Sequence, residues 1–112
     1  GLPRDRIKAM AAVTDTAGAF ICVEDHDILA AVPRLARGTG VFAEPAGAAA
    51  YAGLVKAVDE QLVSANETIV VVNTGNGLKD VAGAMQAVEQ VGTQPFRVSP
   101  DLKALQQVVE GW

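Results

Sequence analysis

Two short stretches of this 112-residue chain combine residue types that composition alone does not explain. The first is Val41-Phe42-Ala43-Glu44-Pro45-Ala46-Gly47-Ala48-Ala49-Ala50, and the second is Val72-Asn73-Thr74-Gly75-Asn76-Gly77-Leu78-Lys79-Asp80. In the second, a β-branched run over 68–73 ends in Thr-Gly-x-Gly and leads into a helical pattern. That order puts a hydroxyl, Thr74, and several free backbone amides at the carboxyl end of a strand, where open α/β sheets bind ligands. Gly75 and Gly77 let the backbone come close to such a ligand or take a positive φ. The helix that follows offers unpaired N–H groups to an anion. The pattern is no nucleotide fingerprint, because Asp80 stands where a third glycine would be and Lys79 does not follow a Walker-type loop. An ordinary glycine turn between a strand and a helix accounts for the same residues equally well.

The first stretch reads as a helix start, with a carboxylate, Glu44, near the positive end of the helix and a proline, Pro45, in its first turn. Beyond it, Ala46 to Ala50, Ala52 and Gly53 leave one helix face nearly bare. Such a face packs very closely against a sheet or a flat ring.

These residues need elements to hold them. Pro3 opens a helix whose apolar spacing (Ile7, Met10, Ala11, Val13) continues to about Val13, and Thr14 to Gly18 form a turn. The apolar run 19–23, Cys22 included, predicts a buried strand. Asp25 then caps a helix with the stripe Ile28, Leu29, Val32, Leu35 and Ala36, closed by Gly38. Pro33 inside that stripe should kink or shorten it. The small-residue helix runs from Pro45 to Leu62 or Val63, and Asn66 marks a turn. Residues 68–73 give the strongest strand signal. Asp80 caps a helix ending near Gly92, and Ser99 with Pro100 opens a last one over 100–110. Two buried strands joined by helices predict an α/β fold with parallel pairing. Two strands leave two edges unpaired, so more strands are expected from elsewhere.

Bulk properties narrow the function. Half the residues are apolar and only 4% aromatic, so the core is built from Ala, Val, Leu and Ile. A mean hydropathy of +0.25 argues against disorder. The net charge of −4 comes with scattered basic residues, so no nucleic-acid partner is expected. No apolar run approaches the roughly 20 residues that cross a bilayer, so no membrane partner is expected either. Gly1 to Ala9 carry Arg4, Asp5, Arg6 and Lys8 without an apolar h-region, so no signal peptide is expected, and one lone cysteine suits the reducing cytoplasm. His26, between Asp25 and Asp27, reads as a surface residue rather than a metal ligand, and no metal site is expected. Cys22 and Tyr51 read as core, and Trp112 as a residue either packing on a neighbour or disordered. The first residue, Gly1 rather than Met, points to processing, a tag remnant or truncation.

Together the two stretches resemble those of the threonine synthases, fold-type-II pyridoxal-phosphate enzymes. Thr74 to Asp80 reproduces their Thr-Gly-x-Gly-Leu-Lys-Asp signature, and Glu44 to Ala49 their Glu-Pro-Ala-Ser/Gly-Ala-Ala segment. The latter is shared with serine and threonine dehydratases. Pro3-Arg4-Asp5 and Val23-Glu24-Asp25 also look like this family, so the resemblance covers nearly the whole chain. It implies a partial helix/parallel-sheet/helix unit of the large, cofactor-binding domain, with residues 1–112 a single C-terminal segment. It implies that the Thr74 hydroxyl bonds the ring nitrogen of pyridoxal phosphate, that Gly75, Asn76 and Gly77 shape the wall beside the ring, and that Glu44 lies near it. The implied reaction converts O-phospho-L-homoserine and water to L-threonine and phosphate, with a small amino-acid substrate.

The departures are as informative. The family holds its cofactor through a lysine in a Ser-Phe-Lys-Asp context, and Lys8, Lys56, Lys79 and Lys103 all lie outside one. No catalytic residue is therefore assigned. The isolated chain is expected to be inactive and not to retain the cofactor. Gly47 stands where the synthases often have serine. A dehydratase-type lyase and a non-catalytic, stand-alone α/β binding module remain as rivals. Exposed sheet edges also raise self-association of the chain.

Overall fold

A computed structural model of the protein describes residues 4–92 and 97–111. Pro3 and Trp112 lie outside the described residues. The described residues form five α-helices, α1 (Arg6–Asp15), α2 (Asp25–Thr39), α3 (Pro45–Asp59), α4 (Val81–Gln90) and α5 (Leu102–Glu110), with a 3-10 turn at Gly77–Lys79 ahead of α4.

Helix α2 begins one residue earlier than its sequence suggests. Glu24, extended, is the cap, and it forms a reciprocal capping box with Asp27, whose carboxylate accepts from the Glu24 N–H at 3.3 Å. Asp25 becomes the first helical residue, where its charge still favours the positive helix end. Helix α2 continues through Pro33 and stops at Gly40, whose φ of 75° is left-handed. Pro33 therefore does not shorten it. Helix α3 ends at Asp59, short of Leu62, because Gln61 takes a φ of 58° and breaks the turn. The cap of α5 is Asp101 rather than Ser99, and its carboxylate accepts from the Ala104 N–H at 2.9 Å.

Helix α2 packs on both α3 and α4. The core between them consists of Ala31, Val32 and Leu35 from α2, Ala43 before α3, Ala48 and Ala52 from α3, and Ala87 from α4. Val23, Ile28, Leu29 and Tyr51 pack around it, half-buried. Alanine holds most of these positions because a methyl group lets helix backbones come close, where a branched chain would hold them apart.

The expected parallel sheet does not form among the described residues. Residues 19–23 and 68–73 have no regular secondary structure and carry no ladder, and the only bridge among the described residues is an antiparallel one between Ala43 and Asn76. The β-branched run predicted to be buried faces outward, with Val70 81% exposed. Strand propensity reflects fit to a pleated, half-buried surface, and without neighbouring strands that surface is missing. Cys22 is exposed as well, not part of the core, and its carbonyl accepts from the Lys56 ammonium at 2.7 Å.

Helices α1 and α5 bury none of their described residues, although Ile7, Met10, Leu102 and Val109 are apolar. The radius of gyration is 18.2 Å, where a compact domain of this length has about 13 Å. The accessible surface is 8827 Å², against roughly 5,800 Å² for a compact monomer of this mass. No described helix is long and apolar enough to cross a membrane.

Candidate functional site

The two stretches singled out in the sequence meet. The Glu44 N–H donates to the Gly75 carbonyl at 3.0 Å, and the Gly77 N–H donates to the Phe42 carbonyl at 2.9 Å. These two bonds make the antiparallel bridge that ties the entrance of α3 to the loop before α4. The loop is shaped from within. Asn76 accepts from the Leu78 N–H at 2.9 Å and opens the 3-10 turn, and the Asp80 carboxylate accepts from the Gly83 N–H at 2.9 Å to cap α4.

Close approach, not left-handed backbone, explains two of the glycines. A Cβ on Gly75 would collide with the Glu44 carboxylate, and one on Gly77 would enter the Phe42 ring. Neither residue has a left-handed φ. The Glu44 carboxylate lies over Gly75, and its Oε1 accepts from the Lys79 Nζ at 2.8 Å. Glu44 is 15% exposed and Lys79 62%. The Glu44 side chain makes no capping bond to α3, so Lys79 is its partner. A Cβ on Gly47 would likewise meet the Asn73 amide oxygen, so that asparagine folds over the first turn of α3.

On the far side of this junction lies an open depression of about 390 Å³. Gly40, Val41 and Phe42 form one wall, and Asn73, Thr74, Gly75 and Asn76 the other. Every lining residue is uncharged. Thr74 is exposed there and presents a neutral hydroxyl. The depression holds no general base and no nucleophile beyond that hydroxyl. Its lining offers a hydroxyl, two side-chain amides and backbone groups for hydrogen bonds, but it cannot perform acid–base chemistry by itself.

Of the five residues expected at the site, Thr74, Gly75 and Asn76 line the depression. Gly77 is buried beneath Phe42, and Glu44 stands behind Gly75. The sequence reading missed the bond from Lys79 to Glu44, the Phe42 ring on Gly77 and the Asn73 side chain on Gly47. Glycines at 47, 75 and 77 were the available signal, since each marks a place where another residue takes the space of a Cβ. Among the described residues, no group of three or more His, Cys, Asp or Glu side chains could hold a metal ion. His26 is exposed beside Asp27.

Residues 1–75 match the sequence profile of the family described as "Pyridoxal-phosphate dependent enzyme". The chain belongs to that family. Its cofactor is pyridoxal phosphate, and the family supports an α/β enzyme fold. Among curated proteins, the chain is 42% identical over 95 residues to the threonine synthase of Mycobacterium tuberculosis, covering 85% of this chain and 26% of that protein. It is 36% identical over 110 residues to the threonine synthase of Methanocaldococcus jannaschii, covering 98% and 26%. With that of Synechocystis sp. it shares 49% identity over 86 residues, covering 77% and 22%. The chain thus spans about a quarter of the length of the curated relatives it matches. The family match takes in Glu44, the small-residue helix α3 and Thr74, and it ends at Gly75, one residue before the bridge's second partner, Asn76.

Proposed function

We propose that the chain is a C-terminal segment of a threonine synthase and contributes one side of its pyridoxal-phosphate site. The observation that carries this reading is the Ala43–Asn76 bridge, which unites the two signature stretches around an uncharged depression holding Thr74.

The residues present fit one face and one edge of the cofactor. The Thr74 hydroxyl would bond the ring nitrogen, and Gly75, Asn76 and Gly77 would form the wall beside the ring, with Glu44 behind. When bound, the cofactor supplies the electron sink for bond breaking next to the amino-bearing carbon of the substrate. A hydroxyl, unlike a carboxylate, does not hold the ring nitrogen protonated, and the resulting milder electron withdrawal suits elimination and replacement at the β and γ carbons. The absence of charge around Thr74 supports this assignment. The Schiff-base lysine and the donors for both phosphates would come from outside these 112 residues. The reaction is the conversion of O-phospho-L-homoserine and water to L-threonine and phosphate, in the cytoplasm. Segments 19–23 and 68–73 would be strands of the parallel sheet between helix layers, completed by strands from elsewhere in the large domain. The exposed apolar side chains of Phe20, Ile69, Val70 and Val72 support that placement.

The test is a graft in which this chain replaces the matching segment of the Mycobacterium tuberculosis threonine synthase. The graft should take up pyridoxal phosphate and release phosphate from O-phospho-L-homoserine, and Thr74→Val should depress that release. A loaded graft that deaminates serine or threonine but releases no phosphate would refute the synthase assignment. The 112-residue chain alone, mixed with pyridoxal phosphate and treated with borohydride, should show no stoichiometric labelling by intact mass. Trapping at one lysine would mean that the chain builds its own Schiff-base site.

A further inference from the structure

Lys79 lies outside the depression, yet it reaches back 35 positions in the chain to the one carboxylate packed against the site's backbone. Glu44 is tied in three ways. Its N–H bonds the Gly75 carbonyl, its carboxylate fills the space above Gly75, and its Oε1 accepts from Lys79. Lys79 itself is fixed to the same loop, because its own N–H bonds the Asn76 carbonyl at 3.0 Å. The ion pair therefore closes a ring that runs from α3's entrance through Gly75 and Asn76 to Lys79 and back to Glu44. Thr74 is attached directly to that ring.

We propose that Glu44 and Lys79 are a positioning pair: they hold the Thr74 loop at a fixed distance from α3 and keep the Glu44 carboxylate out of the depression. A carboxylate that is largely removed from water needs a hydrogen-bond partner. With Lys79 gone, it regains one only by rotating away from Gly75, toward solvent or toward the depression. Either movement loosens the bridge, and the second places a negative charge where the lining is otherwise neutral. A carboxylate near Thr74 would compete for the ring nitrogen and favour its protonated form. The pair thus protects the neutral character of the site. This inference rests on the reading of Thr74 as the partner of the ring nitrogen, but its structural half does not.

Amide hydrogen exchange on the 112-residue chain, and on the graft without cofactor, tests the structural half. In Lys79→Met, the Glu44 and Gly77 amides should exchange about two- to fivefold faster, the modest effect expected when one partner is well exposed. Core amides such as those of Ala52 and Ala87 should not change, and Lys79→Arg should restore protection. Unchanged exchange in Lys79→Met, or no protection of these two amides in the unaltered chain and graft alike, overturns the pairing role. In the cofactor-loaded graft, Lys79→Met should also shift the visible absorption band and its pH dependence, with Lys79→Arg reversing the shift. Faster exchange with no such shift overturns the charge-shielding half alone. Faster exchange in a graft that binds no pyridoxal phosphate leaves the pairing role standing and sinks the cofactor-site reading instead.

Discussion

Gly75→Ala tests the site by the sign of its effect. Gly75 does not have a left-handed φ, so its backbone conformation is open to alanine. Where nothing stands in the way, exchanging glycine for alanine stabilises a fold by about 0.4–1 kcal/mol, because the unfolded chain loses freedom. Here the new methyl group would coincide with the Glu44 carboxylate, and it would lie 2.8 Å from the Glu44 Cγ. Glu44 cannot yield without cost, since its N–H is bonded to Gly75 and its Oε1 to Lys79. Overpacking of this kind costs about 1–3 kcal/mol. The net expectation is destabilisation, and a loss of 1 kcal/mol lowers Tm by roughly 4–8 °C in a domain of this size class. Thermal melts followed by circular dichroism, with Glu44→Ala and the double variant, complete a cycle. Removing the Glu44 side chain should make Gly75→Ala tolerable, with a coupling of about 0.5–3 kcal/mol between the two sites. If Gly75→Ala melts at or above the unaltered chain, Glu44 is not packed on Gly75, and the account of this junction fails.

Two further outcomes follow from the fold. Asp80→Ala removes the cap of α4 and should cost about 0.5–2 kcal/mol, read by urea denaturation; no loss would mean that the Gly83 N–H finds another acceptor. Purified alone, the 112-residue chain should sediment above monomer mass through its bare extended segments, and a cooperative monomer would remove that reading of 19–23 and 68–73.

Much of the helical layer was legible in the sequence, because each helix carries local signals. Glycines and acidic caps bound α2 and α4, and the small-residue run defines α3. The errors at their ends have local causes too. Glu24 outcompetes Asp25 because the capping box needs its second carboxylate three residues on, at Asp27. Gln61 takes a left-handed turn that no residue type announces. The two expected strands form no sheet among the described residues for a different reason. Val70 and Ile69 have strand character, but a strand is buried by neighbours that propensity cannot supply. Contacts across the site were invisible for the same reason: Lys79 meets Glu44 only after the bridge has formed.

The site is built largely from the absence of side chains. At positions 47, 75 and 77, the space of a missing Cβ is taken by Asn73, Glu44 and Phe42 respectively. Each insertion locks α3's entrance and the 73–77 loop together, so three glycines do the work that large side chains do in an ordinary core. Such a junction is close without being bulky, and its depression keeps an uncharged lining that includes Thr74. It also makes the site intolerant: adding a methyl at any of the three displaces a side chain that is already committed. At Gly47 the Asn73 amide is the movable end of an exposed side chain, but the Gly75 backbone N and O would also stand 3.2 Å from the new methyl group. A larger residue at that position therefore requires Asn73 to turn aside and the loop backbone at Gly75 to give by a few tenths of an ångström. At Gly75 no such escape exists, because the displaced group is Glu44, held at both its backbone and its carboxylate. The three glycines are thus not equivalent, and the order of their intolerance follows from what each one touches.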